Sequence, residues 1–501
     1  MFSFISLEFC LFFIAFFCLY WLLAARPKIQ NFLLLCGSYF VVFKAGNLLA
    51  LLVLIIYTVL IYFISVRIST SHRIKRWLMM GVALTLLNLA FWKYFDFFRI
   101  SVTNNLENTV IDINYLFSII LPLGISYYSF QSISYLSTLY QTRKQTNLTG
   151  KHFTLPGLAL HLSFFPTITA GPIARAYAAR DLKDIYNEPT GMLNQIHTKD
   201  RRRILAPTLA LILIVLALIK TWWFSGWISE NWVDPVFANP AQYHSLEILA
   251  AIYGYTVQLF LNFSGYSDLM VALGLLLGFR IPINFRAPLL AHNIREFWAR
   301  WHISLSTWIR DYIYIPLGGN RKGFIRTQIN LLVAMVLSGL WHGNGWHFLI
   351  WGALHGAGLT ILNVTDRIVM VLRRCNEKEV RNSLQKSGRL GKFMGVFTTI
   401  HFVCFCFVFF RAPTVNDALT IFHALFYNHV NIPLTSNPFY FLGILLLAWL
   451  IYPKLVKLFN YFYNHAETLP RYCYILPLLL LLIIAIICAP AGIPGFIYAN
   501  F

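Results

Sequence analysis

The stretch GLWHGNGWHFLIWGALHG at residues 339–356 sets His342, His347 and His355 among tryptophans and glycines, in sequence that is otherwise soluble in hydrocarbon. It joins two apolar runs, 327–342 and 347–371. An imidazole in such surroundings must be hydrated or hydrogen-bonded, because an unsatisfied polar group in an apolar medium is costly. Structure, metal binding and catalysis are the three roles open to these rings, and the rest of the chain has to choose between them.

Of the 501 residues, 58% are hydrophobic and 12% charged, whereas a soluble domain carries about 25% charged residues. The chain therefore reads as an all-α polytopic membrane protein, and no polar stretch is long enough to build a separate soluble domain. Apolar runs near the length of about 20 residues that crosses a bilayer lie at 5–25, 30–46, 47–66, 78–96, 115–139, 204–227, 244–278, 327–342, 347–371, 394–410, 438–455 and 473–490. They predict 11 to 12 transmembrane helices plus re-entrant or interfacial helices. The stretch 153–172 is broken by Pro156, Pro166 and Pro172 and is read as re-entrant, which requires protein or a watery cavity around its freed backbone. The first run lacks a basic leader and contains Glu8, so it reads as a retained helix rather than a signal peptide.

The formal charge of +21 invites a nucleic-acid partner, but its placement argues otherwise. Alternate loops, at 26–29, 67–77, 140–203, 279–326, 367–393 and 453–472, hold 35 of the 40 Lys and Arg residues. This is the positive-inside pattern, and it predicts both termini on the extracytoplasmic side, with anionic lipid contact on the basic side. No nucleic-acid partner is needed. The eight cysteines include no CxxC pair that would signal a redox or zinc site, and CFC at 404–406 is too tight for one tetrahedral metal. The His342, His347 and His355 spacings do not match HExxH, so no metal is expected. No internal repeat of the inverted-transporter kind is present.

Three stretches carry polar groups where lipid-facing helices would not. REFWARWHISLSTWIRDYIYIPLGGNRKG, 295–323, mixes Arg295, Glu296, Arg300, His302, Arg310 and Asp311 with Trp298, Trp301 and Trp308. Charges at membrane depth are costly, so it should lie at an interface or line a polar cavity, with its arginines facing carboxylates or phosphates. QLFLNFSGYSDLM, 258–270, places Asp268 in an apolar run, where a carboxylate is either paired or functional, an arginine of 295–310 being one available partner. LPLGISYYSFQSISYLSTLY, 121–140, is rich in serine, and small polar residues join helices.

In order, FFPTITAGPIAR (164–175), NFSGYSDLMVALGLLLGFRIPINFRAP (262–288), the stretch from Arg295 to Arg321, and SGLWHGNGWHFLIWGALHG (338–356) resemble the motifs of the membrane-bound O-acyltransferase family. LPLGISYYSFQSISYL and the C-terminal PGFIYANF extend the likeness. The bacterial alginate and peptidoglycan O-acetylation branch is the most similar. The resemblance implies a single integral-membrane domain over 1–501, with N-terminal helices in 1–140, a catalytic core in 153–356 and C-terminal helices in 394–501. It also implies a ring of tilted helices around a thinned centre where donor and acceptor meet from opposite faces. His342 in WHG matches the family's near-invariant histidine and His302 in RWHISLS its second. Asn262 and the stretch Thr138 to Gln141 depart from the family pattern, so they are given no acid or base role.

These matches make His342 the expected general base: a neutral imidazole, with an ordinary pKa near 6.5, can take the proton of a hydroxyl attacking an acyl thioester. His302 could orient it, hold the acceptor or donate to the developing oxyanion. Trp298, Trp301, Trp341, Arg310, Asp311, Asn320 and Asp268 are the expected substrate contacts; tryptophans would also keep water from the thioester. The expected reaction moves an acetyl group from cytoplasmic acetyl-CoA, a substrate rather than a bound cofactor, across the cytoplasmic membrane. The final acceptor is a hydroxyl of polysaccharide or peptidoglycan, reached with an extracytoplasmic partner acetyltransferase. One alternative keeps the chemistry and draws the acyl or D-alanyl group from an acyl carrier protein. Another is a transporter or flippase, which explains Asp268 and the broken stretch 153–172 but not the paired motifs of His302 and His342.

Overall fold

The computed structural model describes residues 2–103, 122–146, 152–376, 379–380, 388–430, 432–465, 470 and 472–487. PGFIYANF and the starts of LPLGIS and of the 115–139 run lie outside the described residues. The chain divides into two compact units, Met1–Ala210 with Leu269–Ile283, and Leu211–Asp268 with Asn284–Phe501.

The first unit begins with α1 (Leu7–Leu22), whose N-terminus is capped by the Ser6 hydroxyl accepting from the Phe9 amide, an orphan donor that would otherwise be unpaired. Then follow α2 (Pro27–Ala45), α3 (Leu48–Thr70), α4 (Ile74–Thr103) and α5 (Ile125–Thr146). The serine-rich helix α5 turns inward: Ser126, Ser129, Gln131, Ser132 and Ser134 are all buried, and Gln131 donates to the Thr167 hydroxyl at 3.3 Å. The proline-broken stretch forms α6 (Leu155–Ser163), a bend at Phe164, and a four-residue turn Phe165–Ile168. Nine helical residues reach only about 14 Å, so this buried element is too short to cross a hydrocarbon core.

The second unit contains α7 (Pro207–Ala238, from Leu211 onward) and α8 (Ser245–Leu276, as far as Asp268). Helix α7 continues through residues 228–238, which the sequence reads as loop, by way of two π-helical segments, Ile219–Ser225 and Ser229–Val233. Gly265 lets α8 lie against α7, because a Cβ there would press on the Ala217 carbonyl and the Thr221 and Lys220 side chains. One turn on, Lys220 Nζ stands 2.6 Å from Asp268 Oδ2. Asp268 is therefore paired, but with Lys220 and not with an arginine of 295–310. Those arginines have other carboxylates: Arg295 meets Asp366 at 2.8 Å, Arg300 meets Glu296 at 2.5 Å, and Arg310 meets Asp311 at 2.7 Å.

After the short helices α9 (Ile294–Arg300) and α10 (Ile303–Ile309) come α11 (Phe324–His342), α12 (Trp346–Arg373), α13 (Arg389–Arg411), α14 (Val415–Tyr427), α15 (Asn437–His465) and α16 (Tyr472–Ile487). A Cβ on Gly339 would meet the Phe348 carbonyl, one on Gly352 the Met335 carbonyl, and one on Gly356 the Leu332 Cα. The glycines thus allow α11 and α12 to touch backbone to backbone, the small-residue packing that replaces hydrophobic force between helices in lipid.

Eight helices among the described residues are long and apolar enough to cross a membrane: α3, α4, α7, α8, α11, α12, α13 and α15. The remaining apolar runs also lie on helices, but α1 and α16 have 16 described residues each, α2 opens on Lys28, Gln30 and Asn31, and α5 is polar. The protein is a multi-pass, all-helical membrane protein. Replacing Lys220 by Met is expected to lower the melting temperature in detergent by stranding the Asp268 carboxylate, and adding Asp268→Asn is expected to recover most of the loss. Differential scanning fluorimetry of the three proteins checks this, and a single variant as stable as the parent would contradict it.

Candidate active site

The two histidines of the motifs reach their positions by different local means. His302 stands at a break between α9 and α10, with φ 43° and ψ 53°. A non-glycine residue in this left-handed region stores about 1–3 kcal/mol and persists only when its surroundings fix it. Here Asn284 does so. Its backbone carbonyl accepts from the Ile303 amide at 3.0 Å, and its side-chain oxygen accepts from the Ser304 hydroxyl at 2.6 Å and the Ser304 amide at 3.3 Å. The next turn is held by the Ser306 amide donating to the His302 carbonyl and the Ser306 hydroxyl donating to the Trp301 carbonyl. The imidazole is 1% exposed, and burial pushes its pKa down to about 3. It is neutral at physiological pH, able to donate through one nitrogen and accept through the other.

His342 is the last residue of α11, where Gly343 leaves the helix in extended conformation. It is 2% exposed. Three rings enclose it: Trp341 at 4.7 Å, Trp351 at 5.1 Å and Phe410 at 5.1 Å between ring centroids, each close to perpendicular. Trp341 also meets the His302 ring, at 6.2 Å, so one indole touches both imidazoles. The other side of His302 packs edge-on against Phe263 at 4.7 Å.

The remaining sequence candidates divide into two groups. Trp298 and Trp301 are buried in the same unit. Trp298 meets Trp351 at 5.8 Å, and Trp301 stacks on Phe297 at 5.4 Å beside Phe285 and Phe407. Arg310 and Asp311 lie on a π-helical turn, Arg310–Tyr314, and bond to each other. Asn320 is exposed in the turn before α11, and Asp268 is engaged by Lys220. The substrate roles expected of these four rest on the family pattern alone. His347 packs on Phe348 at 4.2 Å. Among the described residues no three His, Cys, Asp or Glu side chains are grouped to hold a metal ion.

Sequence reading missed Asn284, Phe263, Trp351 and Phe410. The spacing of Trp351 and His355, and of Ser338 and His342, four apart on facing helices, was the available signal for Trp351, since such residues share a helix face. Phe410 had none; it comes from α13, an apolar run like any other.

The arrangement is a buried imidazole enclosed by aromatic rings, with a second imidazole across a shared indole. A model of the MBOAT, membrane-bound O-acyltransferase family matches residues 120–408. The chain is 38% identical over 356 residues to the "Probable alginate O-acetylase" of Azotobacter vinelandii, a match covering 68% of this chain and 65% of that protein. It is 30% identical over 434 residues to the peptidoglycan O-acetyltransferase of Helicobacter pylori, covering 80% and 75%. With the teichoic acid D-alanyltransferase of Streptococcus thermophilus it shares 28% over 306 residues, covering 59% and 69%. The family match includes both motif histidines, Trp341 and Trp351, and the chain belongs to the membrane-bound O-acyltransferase family.

Proposed function

We propose that the protein is an O-acetyltransferase that takes an acetyl group from acetyl-CoA on the cytoplasmic side and passes it across the membrane. The acetyl group ends on a hydroxyl of an extracytoplasmic polysaccharide or of peptidoglycan, with the help of a partner acetyltransferase on that side. The relatives named for alginate and peptidoglycan support the acceptor class. The observation that carries the chemistry is the enclosure of His342 by Trp341, Trp351 and Phe410, with His302 across Trp341.

The step needs few groups. A hydroxyl oxygen attacks the thioester carbonyl carbon while a His342 ring nitrogen takes its proton. The tetrahedral oxyanion collapses, the carbon–sulfur bond breaks, and the departing thiolate takes the proton back from the imidazolium, leaving an ester and a thiol. General base catalysis of this kind contributes typically about 10²–10⁴-fold. The imidazolium forms among three aromatic rings whose centroids lie within 5.1 Å. His302, neutral in its buried position, can donate to the oxyanion or hold the attacking hydroxyl. The ring wall also limits thioester loss to water.

The asymmetry of the basic loops supports a donor side in the cytoplasm and both termini outside it, in the inner membrane, by the positive-inside rule. A second reading keeps His342 as base and takes a D-alanyl or other acyl group from a carrier protein, favoured by the likeness to the teichoic acid D-alanyltransferase.

His342→Gln is expected to insert and fold normally and to lower O-acetyl ester on surface glycans by about 10²-fold or more, read by mass spectrometry of polysaccharide from cells with the parent or variant chain. Ester at the parent level from a well-expressed variant would contradict the base assignment. Labelled acetyl-CoA offered to membrane vesicles of cells that make the parent chain and its partner is expected to yield labelled ester on the glycan; label arriving only from a charged carrier protein would favour the second reading.

A further inference from the structure

His355 is the third imidazole of the opening stretch, and the mechanism above does not use it. It is 0% exposed, in the middle of α12. Five rings surround it: Phe297 parallel at 6.3 Å, Trp298 at 5.1 Å, Trp351 at 4.9 Å, Phe402 at 5.8 Å and Phe407 at 6.2 Å. Neither ring nitrogen has a hydrogen-bond partner among the described residues, and the indole nitrogens of Trp298 and Trp351 have none either. A buried polar group left unsatisfied is costly, whereas an apolar group of the same shape is not. Phenylalanine would fill this aromatic cage without that cost, so packing does not account for an imidazole at 355.

The three unpartnered groups are complementary. An indole N–H only donates, and a neutral imidazole has one nitrogen that accepts. His355 is therefore the acceptor within the ring cluster that either indole can use. Trp351 is also one of the rings enclosing His342. Its helix has no slack along the contact, because Gly339, Gly352 and Gly356 already bring α11 and α12 to backbone contact. The Trp351 and His355 ring centroids lie 4.9 Å apart, so a tilt of the indole that closed a hydrogen bond between them would also reset the wall of the proposed base.

We propose that His355 is a positioning residue for acyl transfer: by accepting a hydrogen bond from the Trp351 indole in the reacting state, it fixes the ring against which His342 is oriented. The inference rests on His342 being the base. Active-site hydrogen bonds that are long in the resting protein commonly tighten in the reacting complex, and a residue acting this way changes turnover more than substrate affinity.

The test uses the full chain, purified in lipid nanodiscs for melting and in membrane vesicles of cells that also make the partner for transfer from acetyl-CoA to the glycan, and compares the parent with His355→Phe, His355→Gln and Trp351→Phe. His355→Phe is expected to melt at or above the parent temperature, to lose about tenfold in kcat, the size of one buried hydrogen bond lost in the transition state, and to keep its KM for the thioester. His355→Gln, which retains an acceptor, is expected to recover most of the lost kcat; Trp351→Phe, which keeps a ring and loses the N–H, is expected to match His355→Phe. Parent kcat in His355→Phe, or equal losses in the Phe and Gln variants, would overturn the proposal. Should His355→Phe fail to fold, parent kcat in Trp351→Phe would overturn it equally. A parent chain that transfers no acyl group from any donor contradicts the proposed function itself, an outcome separate from active parent and active His355→Phe, and takes this inference with it.

Discussion

Backbone contact between α11 and α12, allowed by Gly339, Gly352 and Gly356, sets the position of the proposed base. Helices in lipid gain nothing from burying apolar surface against one another, so close packing and hydrogen bonds must hold them. With the two backbones in contact, side chains four apart on each helix are held in register. The faces carrying Ser338 and His342 on one helix, and Trp351 and His355 on the other, follow from that geometry. A larger residue at any of the three glycines would move the Trp351 wall and the His342 ring together.

The second imidazole is placed by strain rather than by helix packing. His302 occupies a left-handed conformation that the Asn284 and Ser304 hydrogen bonds hold in place. The break separates α9 from α10 and turns the ring toward Phe263 and Trp341. The two histidines thus arrive from a helix end and a helix break, and both touch Trp341. Burial of both rings keeps the proposed base away from bulk water, which in the proposed reaction would compete with the acceptor hydroxyl for the thioester.

Much of this was legible in the sequence because it depends on composition and local pattern. Few charges and long apolar runs announced membrane helices, and Pro156 and Pro166 marked an element too short to cross. WHG and RWHISLS singled out His342 and His302. Pairing across the chain was not legible. Asp268 and Lys220 are 48 residues apart, and nothing local distinguishes Lys220 from the arginines that turned out to be engaged by Asp366, Glu296 and Asp311. Phe410 likewise comes from a helix whose sequence is uniformly apolar, so its place beside His342 is visible only in three dimensions. The π-helical segments of α7 were hidden too, since no residue in them separates a π turn from an α turn. Nothing local in the sequence marks the surroundings of His355; its ring cage and unpartnered nitrogens appear only in three dimensions.

The pH dependence of kcat/KM for acetyl transfer, measured on the purified parent and on His342→Gln, tests the assignment of the base most directly. A general base must be unprotonated to act, so the parent rate is expected to rise with pH through a single ionisation and then level off, while His342→Gln should lose both the rate and that rise. A His342→Gln protein that keeps the parent rate and the same pH-dependent rise would contradict the assignment.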